Sequence, residues 1–355
     1  MKLKCKAPAR IDLAGGTLDL WPLHLFFENT ATINCAIDQY AEVELEAGNE
    51  SKAGDTPAIA LESEDRGVKH AFRSYGELLE SFQGGHRATA LSPALWLHAR
   101  AVRHFFAFWR RSAPLTVRTR CASPAGAGLG GSSALNVALC MALRKLTLAN
   151  YSDEEIIAVA RDLETTVIEV PAGVQDYWSA LFGGVQAIHF EAGRTHRKVF
   201  EGRAPFLQDH LILCDSGQSR NSGINNWAVY KGFIDGDKTV RGAFARIVKA
   251  TCRVEEALER RSFEKLSEGI REEWEARRTL APAIATDAML AVIRKAEERG
   301  ALAAKVCGAG GGGCFLLVAP AEKKKAIADS LSKDGVNVIP FRIAEEGCLV
   351  DSSGA

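Results

Sequence analysis

The chain has 355 residues, 47% hydrophobic and 25% charged, and its 44 basic and 44 acidic side chains cancel to a formal net charge of zero. This globular composition is long enough for two lobes, and without a basic block it excludes an extended nucleic-acid surface. No apolar run approaches the roughly 18 residues of a membrane span, the start lacks a signal-peptide core, and nine cysteines are scattered without a CxxC pair. The expectation is a soluble cytoplasmic protein with reduced thiols, no membrane partner and no nucleic-acid partner.

Arg10 is expected just before a strand, followed by a Gly15-Gly16-Thr17 turn with Asp19 beyond it. Thr32 to Ile37 and Ala41 to Glu46 read as a pair of strands, the second alternating Val43 and Leu45 with glutamates. Gly48 to Pro57 is a polar loop. The apolar positions between Pro93 and Arg110 predict a helix, Leu115 to Arg120 a strand, and Ser133 to Leu146 a helix. Ser152 and Glu155 are spaced as a capping box that opens a helix through Thr166. Strands are expected at Gly183 to Phe190 and His210 to Asp215. Helical spacing then places helices over Phe244 to Leu258, Phe263 to Trp274 and, capped at Thr286-Asp287, up to Arg299. Val306 and Cys314 to Val318 flank a second glycine cluster, and Glu322 to Leu331 and Val336 to Phe341 give a last helix and strand. The order is mixed α+β, not a regular βαβα alternation, with a plausible division near residue 190.

The chemistry begins at Pro124-Ala-Gly-Ala-Gly-Leu-Gly-Gly-Ser-Ser-Ala134. Four glycines and two serines between a strand and a helix can aim several backbone N–H groups at one point, beside the positive end of the helix dipole. That is an anion site, most naturally for a polyphosphate. It is no Walker A loop, because Ser132 stands where a lysine would follow the second glycine. Gly126-x-Gly128-x-x-Gly131 formally matches the dinucleotide fingerprint, yet it lies more than 120 residues into the chain. The acids at the offset the fingerprint requires, Asp153 and Glu154, sit in a helix start. An ordinary glycine-rich turn is the bland alternative.

Gly308-Ala-Gly-Gly-Gly-Gly313 holds five glycines where a tight hairpin needs one or two, so a ligand or another loop must approach its backbone. Alone, Asp19 could equally cap a turn, Arg10 be a solvated charge, Glu164 an exposed helix charge and Asp176 an N-cap.

Taken together, the elements at Pro8-Ala-Arg10…Gly15-Gly16, Pro124 to Ala134 and Gly308 to Gly313 resemble the GHMP kinases, the superfamily of galactokinase, homoserine kinase, mevalonate kinase and phosphomevalonate kinase. The likeness spans nearly the whole chain. Within the superfamily the sequence is most similar to kinases of D-glycero-D-manno-heptose 7-phosphate, on Arg10 to Asp19, Gly173-Val-Gln-Asp176, Phe182-Gly-Gly184 and Glu272 to Leu280. It departs from them at Asp176-Tyr177-Trp178 and in the segment Asn221 to Tyr230. In the central loop Gly131 stands where the family has its first serine.

The resemblance implies a two-lobe α+β fold: a ribosomal protein S5 domain 2-like lobe over 1–190 and a ferredoxin-like lobe over 191–355. It implies ATP held by Pro124, Gly126, Ala127, Gly128, Leu129, Gly130, Gly131, Ser132 and Ser133, with Mg2+ on Ser132 and Glu164, Glu169 being the fallback carboxylate. Asp176 would contact the acceptor hydroxyl, with Arg10 as the nearby cation. Gly16, Thr17, Asp19, Arg220, Gly310 and Gly311 would complete the acceptor side, Arg277 and Arg278 competing with Arg220 for a remote phosphate. The implied reaction is transfer of the γ-phosphate of ATP to a sugar hydroxyl, the anomeric 1-OH of heptose 7-phosphate or a related sugar, by a monomer or homodimer. Other superfamily acceptors (mevalonate, glucuronate, galactose, fucose) and a non-catalytic sugar-binding regulator are the alternatives.

Overall fold

The computed structural model describes residues 1–48, 59–82, 91–109, 113–218, 222–281 and 284–353, without side chains for 222–226 and 352–353. Arg220, and the polar loop from residue 49 onward, lie outside the described residues.

Strands β1 (Lys2–Ala14) and β2 (Ala31–Ala47) form a long antiparallel pair. The two halves of this pair differ in burial for a reason visible in the sequence. At Lys2, Lys4 and Lys6, opposite Glu46, Glu44 and Glu42, charges line the outer face, while Leu3, Cys5, Val43 and Leu45 point into the core. From Ala9 to Ala14 and from Ala31 to Ile37 every residue is buried, because helices cover both faces there. The two strands expected at 32–37 and 41–46 are therefore one. The polar stretch Asp38-Gln39-Tyr40, which reads as a break, is where β2 changes neighbours on one edge.

The chain continues through β3 (Ile59–Ser63), β4 (Val68–Phe72), α1 (Tyr75–Glu80), α2 (Trp96–Phe106), preceded by a 3-10 turn at Pro93–Leu95, and β5 (Leu115–Cys121). Then come α3 (Gly131–Thr147), α4 (Asp153–Ile168), α5 (Gln175–Phe182), β6 (Val185–Glu191) and β7 (Arg194–Val199). β6 pairs with residues 31–35 of β2 and β5 with residues 41–47. All pairings in this sheet are antiparallel except β3 with β5. α3 is apolar nearly all round and packs centrally on β1 and β2, as a fully buried helix must. The capping box at Ser152 and Glu155 opens α4, as its spacing requires.

The second half holds α6 (Ala204–His210), β8 (Leu211–Asp215), α7 (Ser222–Ile234), α8 (Lys238–Arg260), α9 (Phe263–Arg277) and α10 (Asp287–Glu298). It continues with β9 (Ala303–Val306), β10 (Cys314–Val318), α11 (Ala321–Lys333), β11 (Asn337–Ile339) and β12 (Leu349–Ser353). Its antiparallel sheet has the order β11-β8-β10-β9. Numbered within the unit this is 4-1-3-2 with helical crossovers, the split βαββαβ arrangement of a ferredoxin-like lobe. The line at residue 190 falls at the end of β6, inside the β6–β7 hairpin. The chain also returns to the first sheet at its end, where β12 pairs with β1 from Lys2↔Ser353 to Lys6↔Leu349.

One apolar cluster joins the two sheets. Ile11, Leu13, Ile33 and Leu129 meet Leu213, Val254, Leu258, Ile270 and Leu316 in it. Arg10, expected before a strand, sits within β1 and is 4% exposed. The cleft lies beside this joint.

Candidate active site

A cleft of about 370 Å3 is lined by Arg10, Gly16, Thr17 and Asp19 from the N-terminal element, residues 123–133 of the glycine loop and α3, and Glu164, Gly173, Asp176 and Tyr177. Gly308 and Ala309, and Ser63, Asp65, Arg66, Pro93 and Leu97, extend the lining. Three sequence elements more than 100 residues apart thus share one hollow.

The geometry of the glycine loop follows from local chain shape. Gly126, Gly128 and Gly130 all have positive φ, and Gly130 immediately precedes α3. No side chain caps α3, so the first-turn N–H groups at Gly131 to Ser133 keep their donors for the cleft. Gly128 is fixed by a neighbour as well as by its φ of +74°: a Cβ there would lie 2.4 Å from the Cys307 carbonyl oxygen. The second glycine cluster accordingly packs on the first, with Cys314 N–H donating to Ala127 O at 2.8 Å. Of its residues Gly308 and Ala309 line the cleft. Gly310 and Gly311, expected on the acceptor, instead lie against Ile284, whose carbonyl takes the Gly311 N–H at 2.8 Å. The excess of glycine serves loop-on-loop contact.

Glu164 on α4 is 6% exposed and accepts three hydroxyls: Ser132 at 2.6 Å on Oε1, and Ser133 at 2.8 Å and Tyr177 at 2.7 Å on Oε2. Burial pushes its pKa up, against the pull of those bonds. Burial, and then the Glu164 charge, hold the Tyr177 phenol well above its ordinary range. Ser132 is exposed and Ser133 buried, and both line the cleft. An exposed hydroxyl and a carboxylate beside a phosphate loop suit Mg2+, which takes oxygen donors and few protein ligands. Among the described residues no group of three or more His, Cys, Asp or Glu could hold a metal. Glu169, the fallback, ends α4 in a left-handed conformation and is not among the lining residues.

Arg10 reaches Asp176 with Nε at 2.7 Å and Nη2 at 2.6 Å, both on Oδ1, and donates through Nη1 to Gly128 O at 2.5 Å. Burial works to lower its pKa, but Asp176 and Asp12 outweigh it and the guanidinium is held above its usual value. Asp176 stands in the first turn of α5, not at its N-cap. That place is served from a distance: Asp19 Oδ2 accepts the Gln175 N–H at 3.0 Å, and a Cβ on Gly173 would lie 2.1 Å from the same oxygen. Burial pushes the Asp19 carboxyl up to about 6.

Arg277, a candidate for a remote phosphate, is instead buried and bound to Glu273, Gly16 and Thr17. Sequence reading also missed Tyr177, whose only signal was its departure from the expected Asp-Gln-Tyr. No helix among the described residues is long and apolar enough to cross a membrane.

Comparison with known proteins agrees with this arrangement. A family model described as GHMP kinases N terminal domain matches residues 97–184, and one described as GHMP kinases C terminal matches residues 254–337. The chain is 23% identical over 351 residues to a D-glycero-alpha-D-manno-heptose 7-phosphate kinase of Campylobacter jejuni, covering 97% of each. It is 26% identical over 365 residues to a mevalonate kinase of Thermococcus onnurineus, covering 99% of each. A crystal structure of a D-glycero-D-manno-heptose 1-phosphate kinase from Bacteroides thetaiotaomicron shares the fold with a TM-score of 0.75 at 20% identity, over 99% of this chain and 100% of that one. With both family domains present and the glycine loop, Glu164 and Asp176 inside the first, the chain belongs to the GHMP kinase family and is a phosphotransferase.

Proposed function

We propose that this kinase transfers the γ-phosphate of ATP to a hydroxyl of a sugar or sugar phosphate, with the anomeric 1-OH of D-glycero-D-manno-heptose 7-phosphate as the leading acceptor. The observation that carries the reading is the Arg10–Asp176 pair, joined through Arg10 Nη1 to the backbone of the phosphate loop. It sets a carboxylate and a cation beside the site where an anionic phosphate chain would lie.

In this reading the N–H groups from Gly126 to Ser133 hold the phosphates of ATP. Ser132 and Glu164 hold Mg2+, which when bound neutralises charge on the phosphates. Asp176 accepts the hydrogen bond of the attacking hydroxyl and keeps it facing the phosphate loop. Arg10 fixes Asp176 and lies close enough to stabilise charge as the hydroxyl oxygen bonds to phosphorus. A loose transition state needs little base assistance, so orientation is the main task of Asp176. Asp19 and Thr17 supply acceptor contacts. Arg220 or the half-exposed Arg278 supplies the cation that a remote phosphate needs, since burying an unpaired dianion is costly. The nine free cysteines fit a reducing compartment, the cytoplasm.

The similarity to archaeal mevalonate kinases favours mevalonate as the second acceptor. The test is ATP turnover over free sugars, sugar phosphates and mevalonate, with phosphorus NMR of the product. Heptose 7-phosphate should give a new anomeric phosphate beside the original ester. Efficient turnover of mevalonate or an unphosphorylated sugar, with none of heptose 7-phosphate, would reject the leading acceptor.

A further inference from the structure

A four-charge cluster lies where β1 meets the second half of the chain. Asp12 comes from β1, Glu273 and Arg277 from α9 and Lys305 from β9, and none of the four side chains is more than 3% exposed. Glu273 Oε1 accepts Lys305 Nζ at 2.8 Å and Arg277 Nε at 2.8 Å, and Lys305 Nζ lies 3.1 Å from Asp12 Oδ2. Two acids and two bases close the charge to zero.

As a device for stability this cluster is a poor choice, because the joint already has an apolar core and buried ion pairs are often matched or bettered by hydrophobic packing. What Arg277 does beyond the cluster points elsewhere. Its Nη2 donates to Gly16 O at 2.8 Å and its Nη1 to Thr17 Oγ1 at 3.4 Å, and both residues line the cleft. The turn it holds has no slack. Thr17 has φ +75°, a left-handed value that a β-branched residue adopts only when its surroundings impose it. A Cβ on Gly16 would lie 2.4 Å from Asp12 Oδ2 and 3.3 Å from Arg277 Nη2, so the backbone rests directly on the charged cluster. Asp19, which bonds to the first N–H of α5, follows two residues later.

We propose that Arg277 is a positioning residue for the acceptor: anchored by Glu273, it fixes the Gly16–Thr17 turn as one wall of the acceptor site and thereby sets acceptor affinity without touching the nucleotide. This rests on the reading of the cleft as an acceptor site. The arginine fork is essential to it. One guanidinium spans Glu273, a carbonyl and a hydroxyl at once, whereas a lysine ammonium keeps the charge balance but cannot hold that geometry.

The test uses the full chain carrying Arg277→Lys, with Thr17→Val as a second variant that leaves every buried charge in place. Arg277→Lys should raise the acceptor KM by about tenfold, within the range that misplacing a site wall costs, while the KM for ATP stays within about twofold. Hydrogen–deuterium exchange should quicken in residues 15–20 and stay unchanged in 126–133. Thr17→Val, which also removes the acceptor contact proposed for Thr17, should raise the acceptor KM and quicken exchange in 15–20, which loss of that contact alone would not do. Exchange in the double variant should fall short of additivity because both changes remove one support. Unchanged exchange at 15–20 in both variants, or acceptor and ATP KM values that climb together, overturns the proposal. If the unaltered enzyme phosphorylates no acceptor in the panel, the proposed function falls, and the exchange data alone decide whether Arg277 holds the turn.

Discussion

Arg10 places three donors on two partners: Nε and Nη2 on one oxygen of Asp176, and Nη1 on the Gly128 carbonyl. The carboxylate that would orient the acceptor is thus held in place by the loop that would hold the donor. Asp176→Asn should therefore lower kcat by at least about a hundredfold, the lower range for a positioned polar group, while ATP affinity measured by calorimetry changes little. Near-normal turnover would leave Asp176 only its place in the first turn of α5. Asp19 has a different signature. Burial raises its pKa to about 6 from the 3.8 of an unperturbed carboxyl, so the folded chain binds a proton there that the unfolded chain has released. The contribution of Asp19 to stability is complete below about pH 4 and is lost as pH rises through 6, a change on the order of 2–3 kcal/mol. Denaturant unfolding from pH 4 to pH 7 should show a smaller decline for Asp19→Asn, whose amide oxygen can still accept the Gln175 N–H. Equal declines in the two proteins would show that Asp19 is not the titrating group.

At the level of elements, the two glycine clusters form one structure. Gly128 abuts Cys307, Gly308 abuts Gly128, and a Cβ on Gly313 would lie 2.5 Å from Gly126 O. Gly128→Val should consequently act first on folding, costing at least about 2 kcal/mol from the positive φ and the clash together, with nucleotide binding lost as a consequence. Thermal melting beside a nucleotide titration checks the order. A variant that melts normally yet fails to bind ATP would place the effect on the ligand instead. Elements of this kind were legible because their signals are local. The glycine loop, the Ser152–Glu155 box and the 3.6-residue spacing in α8 and α9 are each complete within one segment. The continuity of β2 was hidden because residues 38–40 carry polar side chains where the pairing with β1 shifts register, Tyr40 facing Pro8 and Ile37 facing Ala9. The strand runs on through an irregularity that the sequence pattern reads as a break. The Asp12–Glu273–Arg277–Lys305 cluster was hidden more deeply: each member is an ordinary charge in its own segment, and only the tertiary joint buries it. For the same reason Gly310 and Gly311 read as ligand-facing, since a glycine makes room for a loop and for a substrate alike.

Over the whole molecule, the first sheet is assembled from both ends of the sequence. β12 supplies the outer neighbour of β1, and the Met1 ammonium donates to Ala47 O at 2.9 Å on the other side. Removing residues 349–355 should expose the β1 edge and lower the melting temperature by roughly 1–3 °C, the shift that about 1–2 kcal/mol produces in a chain of 355 residues. Scanning calorimetry of the truncated chain measures it, and an unchanged transition would mean that β12 adds nothing to the sheet.

The pairing of Lys2–Lys6 with Leu349–Ser353 also sets a timetable for biosynthesis. Residues 2–6 leave the ribosome long before the strand that covers their edge. Between those moments the ferredoxin-like unit, whose four strands all lie within 211–339, has every piece it needs. Of the two lobes the one begun earlier is therefore the one finished later, and until residues 349–353 emerge its unpaired edge is open to any extended strand nearby.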